Sequence, residues 1–211
     1  MKSFLIPATL ASGLMLAGMA AAWAAPAPAA AKPQADANAP TDVQQIGDWT
    51  VRCFPVASTS PCDMYEQLDD KNTHQRVLSI SIAYVPSANR HAIQIAVPLG
   101  VAIPKGAVIV TDNFTSPALP YRRCDRGGCY VERILDNNAI DSLSKSGPEA
   151  RVKIVGDNGK TFQLRFSLNG FAKAHDAMAA LAKQKAKSPD EVKAAQEQAQ
   201  KAAQSQPGQQ Q

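Results

Sequence analysis

The linear signatures of common catalysts are missing from this chain. It has no G-x-S-x-G elbow, no H-E-x-x-H pair, no P-loop and no G-x-G-x-x-G opening a helix. Those absences set aside the motif-bearing serine hydrolases, zinc proteases, nucleotide hydrolases and dinucleotide enzymes. A C-x-x-C is also lacking, so a redox-active dithiol is not indicated. Between Gly47 and Ala180 basic and acidic residues nearly balance, and a domain without a field of one sign is not drawn to nucleic acid. After Ala22 no stretch is apolar enough to span a bilayer. No cofactor and no metal are expected.

What is present begins with an export signal. Lys2 supplies the charged start, Phe4 to Ala22 the apolar run, and Ala22-Trp23-Ala24 a small-residue cleavage site that leaves Ala25 as the new N-terminus. No cysteine lies near that cut, so the expected product is a periplasmic or secreted, outer-surface protein with neither a lipid anchor nor a membrane span. Its four cysteines, Cys53, Cys62, Cys124 and Cys129, read as two disulfides, because thiols meet an oxidising environment once exported. Cys124 and Cys129 bracket Asp125-Arg126-Gly127-Gly128, and across such a hairpin the Cβ atoms stand about 4 to 5 Å apart, as a disulfide requires. Cys53 and Cys62 bracket a turn-rich loop with Pro55 and Pro61. Local pairing is favoured, and the two other connectivities stay open. Neither spacing is the C-x2-C of common zinc sites, and no histidine adjoins either pair.

Composition divides the chain into four. After the signal (1–24), the Pro/Ala-rich stretch over 25–46 reads as a disordered linker, since Ala25 to Thr41 has no bulky apolar residue with which to offset its ordering entropy. Residues 47–182 are one domain. The tail over 183–211 is Gln, Ala and Lys with Val192 its single large aliphatic residue, so it is expected to stay flexible, with transient helix at most.

Inside the domain the hydrophobic period is two. Leu78, Ile80 and Ile82 alternate with Ser79 and Ser81, and His91 to Val97 repeats the pattern. Further strands are expected at 49–52, 63–68, 101–103, 107–111, 121–124, 129–134, 152–155 and 162–168, mostly separated by Gly, Pro, Asn or Asp. Two helices interrupt them: a short one over 138–145, and one N-capped by Asn169 whose Phe171, Ala174, Met178 and Leu181 form a core-packing stripe. The expected fold is all-β, an immunoglobulin-like β-sandwich with a short helix and a C-terminal capping helix.

Gly47-Asp48-Trp49, Cys53 and Cys62, Pro98-Leu99-Gly100-Val101, Cys124-Asp-Arg-Gly-Gly-Cys129, then Asn169-Gly170-Phe171 with Ala174 and Leu181 occur in an order and spacing that resembles the invasion-associated locus B family of alphaproteobacterial exported proteins. The resemblance spans nearly the whole domain and neither flank. It implies a β-sandwich in the periplasm or at the outer surface, and a contribution to host-cell invasion in the pathogens where the family is named.

Candidate functional residues are few. His74, His91 and His175 are isolated in the sequence, and His175 beside Asp176 reads as a solvated surface pair. Asp69 and Asp70 read as a turn. The local feature with a recognition chemistry is Arg122, Arg123 and Arg126, with Arg133 across the hairpin. Guanidinium groups on a disulfide-stiffened loop can hold carboxylate, phosphate or sulfate bidentately at reduced entropic cost. Taken alone, the residues favour solubilising charges partly answered by Asp125 and Glu132, with the recognition surface as the functional reading beside it. The function expected is therefore a non-enzymatic envelope or surface interaction protein with an anionic envelope or host partner. The alternative is a periplasmic small-ligand carrier or enzyme whose pocket no linear motif reveals.

Overall fold

A computed structural model of the chain describes residues 39–205. The expected signal sequence, the linker as far as residue 38, and residues 206–211 lie outside them. Ten strands are arranged in two antiparallel sheets: β1 (Asp42–Ile46), β2 (Trp49–Cys53), β3 (Cys62–Asp69), β4 (Arg76–Val85), β5 (Arg90–Val97), β6 (Ala107–Val110), β7 (Tyr121–Asp125), β8 (Gly128–Leu135), β9 (Glu149–Val155) and β10 (Thr161–Ser167). The larger sheet runs β1-β2-β3-β4-β5-β8-β7 and the smaller β10-β9-β6. Three helices, α1 (Asn137–Ser144), α2 (Phe171–Lys185) and α3 (Pro189–Gln204), complete it.

The two-residue period decides which face is buried. Leu78, Ile80 and Ile82 of β4 are at most 1% exposed, as are Trp49 and Val51 of β2 and Ile95 of β5. They meet Ile109, Val152 and Phe166 of the smaller sheet in one core. α2 closes that core by burying Phe171, Ala174, Met178 and Ala182 against β2 and β3. Both cysteine pairs are bonded locally, Cys53 to Cys62 and Cys124 to Cys129. Each joins residues directly opposite one another, across β2/β3 and β7/β8.

Four expectations are revised. The linker ends before Asp42, because β1 pairs along β2 with Val43 opposite Arg52; its residues DVQQI are almost wholly exposed, so no apolar alternation marks the strand. The stretch 101–103 is a single bridge, Val101 to Gly156, followed by a 3-10 turn over Ile103–Lys105, since Pro104 has no N–H to give to a ladder. α2 is capped by Gly170 rather than Asn169. Finally, α2 continues to Lys185, and part of the expected flexible tail is α3. Ser188 and Glu191 form a reciprocal capping box with Pro189 in the first turn, which starts a helix in an Ala/Gln-rich segment without burial; none of its residues is buried.

A close approach of two glycines explains the Gly47-Asp48-Trp49 and Asn169-Gly170-Phe171 segments. The β1–β2 turn meets the β10–α2 junction through Asp48 N–H donating to the Asn169 carbonyl at 3.2 Å. A Cβ on Gly47 would lie 2.4 Å from that carbonyl oxygen, and one on Gly170 2.6 Å from the Ile46 oxygen. Trp49, brought in by this turn, donates its indole N–H to the Ser167 carbonyl at 3.0 Å and packs edge-on against Phe171 at 5.2 Å.

Candidate functional site

The β7–β8 hairpin forms one edge of the larger sheet. Its register passes from Tyr121 opposite Val131 to Arg123 opposite Tyr130, which leaves Arg122 as the extra residue of a bulge. The turn of the hairpin packs on β5: a Cβ on Gly128 would stand 2.2 Å from the Val97 carbonyl oxygen.

The three arginines expected to act together have different situations. Arg123 lies over the Tyr130 ring at 3.9 Å, pairs with Asp125 and donates to Glu132 Oε1 at 3.2 Å. It is held within the hairpin rather than offered to a partner. Arg76 of β4 braces the turn by donating to the Gly127 carbonyl. Arg122 and Arg126 are exposed, and among the described residues neither has an acidic partner within 4.0 Å. Arg133, also exposed, lines the trough described next.

Away from the core, β4, β5 and β8 carry an open trough of about 640 Å³ lined by Ser81, Ala83, Ala92, Gln94, Glu132 and Ile134. Beside it Asp63, only 9% exposed, accepts from Arg52 at 3.0 and 2.6 Å and from the Ser81 hydroxyl at 2.7 Å. A second cleft, about 250 Å³ and mainly apolar, lies between Val77, Leu99, Ile154, Phe162 and Leu164, with Leu99 58% exposed.

Two clusters join residues far apart in the chain. At the glycine contact, Glu66 Oε1 accepts from Ser167 N–H at 2.8 Å, while its Oε2 is buried without a partner. Burial pushes the Glu66 carboxyl up to about 7, with the nearby Asp48 adding to the rise and the Ser167 bond opposing it. Asp48 itself accepts from the Ser167 hydroxyl at 2.6 Å and from the Asn169 amide at 3.4 Å.

The second cluster corrects the reading of isolated histidines. His91, 5% exposed on β5, places its Nε2 2.9 Å from Nε2 of His175 on α2. The expected His175–Asp176 pair is present, Nδ1 to Oδ1 at 3.1 Å. Nδ1 of His91 lies 3.2 Å from Oδ1 of Asn137, the first residue of α1, and the Tyr84 ring stands 5.0 Å from the His91 ring. Burial first, and the neighbouring His175 second, hold His91 below the ordinary histidine range; Asn137 and Asp141 oppose that. The chain separation of 84 positions hides this pair from any linear motif. Its one sequence clue was that both residues lay on elements expected to pack on a common core.

The described residues contain no helix long and apolar enough to cross a membrane and no group of three or more His, Cys, Asp or Glu side chains placed to hold a metal. The model of the family described as Invasion associated locus B (IalB) protein matches residues 49–179. The invasion protein B homologs of Brucella abortus strains 2308 and 9-941 are each 29% identical over 137 residues, covering 64% of this chain and 78% of theirs. The crystal structure of invasion associated protein B from Bartonella henselae aligns with a TM-score of 0.60 at 21% identity, over 68% of this chain and 99% of that one.

Proposed function

Because this chain belongs to the invasion-associated locus B family, we propose that it is an exported, non-enzymatic interaction protein of the envelope or outer surface, with the β7–β8 hairpin as its contact element for an anionic partner. The observation that carries this reading is the division of labour among the arginines. Arg123 and Arg76 stiffen a disulfide-closed hairpin, while Arg122 and Arg126 stand exposed beside it. A rigid loop loses less entropy when its guanidinium groups engage a carboxylate, phosphate or sulfate. Two local disulfides agree with export. The Brucella and Bartonella relatives carry invasion in their names, and by that likeness we assign this chain a contribution to host-cell invasion.

Heparin, a sulfated sugar polymer, is the probe that tests the contact element. The oxidised protein should be retained on it at low salt and released as salt screens the charges. Arg122→Ser combined with Arg126→Ser should abolish retention without changing the melting temperature, because exposed charges contribute about 0–1 kcal/mol to stability. Equal retention of the double variant would reject the hairpin as the contact element. The apolar cleft at Leu99 and Phe162 favours a second reading, a carrier of a small apolar ligand. Saturable binding of a fluorescent fatty acid, lost in Phe162→Asp, would support it.

A further inference from the structure

We propose that His91 and His175 form a two-imidazole site for a divalent transition-metal ion, with Cu(II) the best match. The first argument is the hydrogen inventory. The Asp176 carboxylate can only accept, so Nδ1 of His175 carries a hydrogen. With Oδ1 of Asn137 as the acceptor of the 3.2 Å contact, Nδ1 of His91 carries its hydrogen as well. Both Nε2 atoms then carry lone pairs, 2.9 Å apart. Two lone pairs so close repel, and a cation placed where both converge turns that repulsion into ligation.

Support for the ligands is the second argument. Metal-bound histidines characteristically donate their other N–H to a carboxylate or carbonyl oxygen, which fixes tautomer and ring orientation. Asp176 and Asn137 do this for the two rings.

The third argument is distance. With metal–nitrogen bonds of about 2.0–2.1 Å, two ligands at right angles lie about 2.9 Å apart, whereas tetrahedral ligands lie about 3.4 Å apart. The observed 2.9 Å accommodates the right-angled arrangement that Cu(II) prefers, and Cu(II) also heads the affinity order of divalent first-row metals. The other positions would be filled by water, reached past His175, whose side chain is 20% exposed. Asp141 and Asp176 supply negative charge nearby. Lys183 opposes it from over the Tyr84 ring, 5.8 Å from the ring centre.

The test is a titration of the oxidised full-length mature protein with copper(II) chloride against glycine as competitor, followed by calorimetry and by electron paramagnetic resonance. One ion per chain, a resonance split by two imidazole nitrogens and a raised melting temperature are expected, since a ligand that binds only the folded chain stabilises it. His175→Asn changes the residue at the open end of the pair and spares the buried His91. It should weaken binding by more than the roughly 10–100-fold that a supporting partner is worth. Asp176→Asn should weaken it by about 10-fold and keep the same spectrum. Equal Cu(II) affinity in wild type and His175→Asn would overturn the site, as would no binding at all. In either case the pair would be a neutral hydrogen bond, with the Asn137 amide turned over.

Discussion

Gly170→Ala probes the contact that joins the β1–β2 turn to the start of α2. Gly170 has φ of +81°, a conformation that costs an L-residue about 1–2 kcal/mol. Its added Cβ would also lie 2.6 Å from the Ile46 oxygen and 3.0 Å from Gly47 Cα. Both are backbone atoms, so relief requires the turn to move, and with it the indole of Trp49, which is fully buried against Phe171. A misfit of that kind costs about 1–3 kcal/mol. The sum, about 2–5 kcal/mol, corresponds to a fall in melting temperature of roughly 5–20 °C at about 2–4 °C per kcal/mol for a domain of this size. Gly159→Ala is the matched control: its φ is +77°, yet nothing lies within 4 Å of the added Cβ, so only the conformational cost of about 1–2 kcal/mol applies. Thermal unfolding followed by near-ultraviolet circular dichroism reads both variants and reports the tryptophan environment directly. Equal destabilisation of the two would refute the argument that the close approach matters.

Glu66→Gln tests the buried carboxyl. Its folded-state pKa is raised from 4.5 to about 7, so the native state favours the proton. The stabilisation is fully present below 4.5 and is lost as pH rises through about 7. Wild type should therefore lose about 1–2 kcal/mol between pH 5 and 8, the full linkage value being halved for partial exposure. The glutamine variant should show a flatter profile over that range in thermal denaturation, and parallel profiles would reject the assignment. Replacing both Cys53 and Cys62 by Ala should destabilise more than replacing Cys124 and Cys129. Loop closure is worth about 2–3 kcal/mol for either bridge, but Cys53 and Cys62 are also buried in the core, whereas Cys124 is exposed. Denaturant unfolding of the two double variants decides it, and the reverse order would contradict the burial argument.

The parts legible in the sequence were those where side chains alone carry the pattern. β4 and β5 alternate cleanly because one face of each is core and the other is not. The cysteine pairs follow from short loops that hairpins bring together. β1 was illegible for the opposite reason: its stability comes from backbone bonds to β2, and its side chains are nearly all exposed. α3 carries a start signal at Ser188 and Glu191 but no apolar face, so a reading based on burial passes over it. The candidate site divides in the same way. The arginines were visible as a cluster, but the capture of Arg123 by Tyr130, Asp125 and Glu132 depends on the hairpin register. Glu66 with Asp48, and His91 with His175, depend on which elements touch, and no spacing rule reports that.

The bulge at Arg122 has a bearing on how copies of this chain can meet. An open sheet edge offers unpaired backbone groups to any extended strand. On the β7 side the extra residue breaks the spacing of those groups, and the row of guanidinium groups would face its own like in a second copy. The β1 side has no such bulge: its strand is short and regular, and Lys185 beside it is paired with Asp42 at 2.9 Å. The two edges of this sheet are thus unequal: β1 presents a regular row of backbone groups, whereas that of β7 is interrupted and charged.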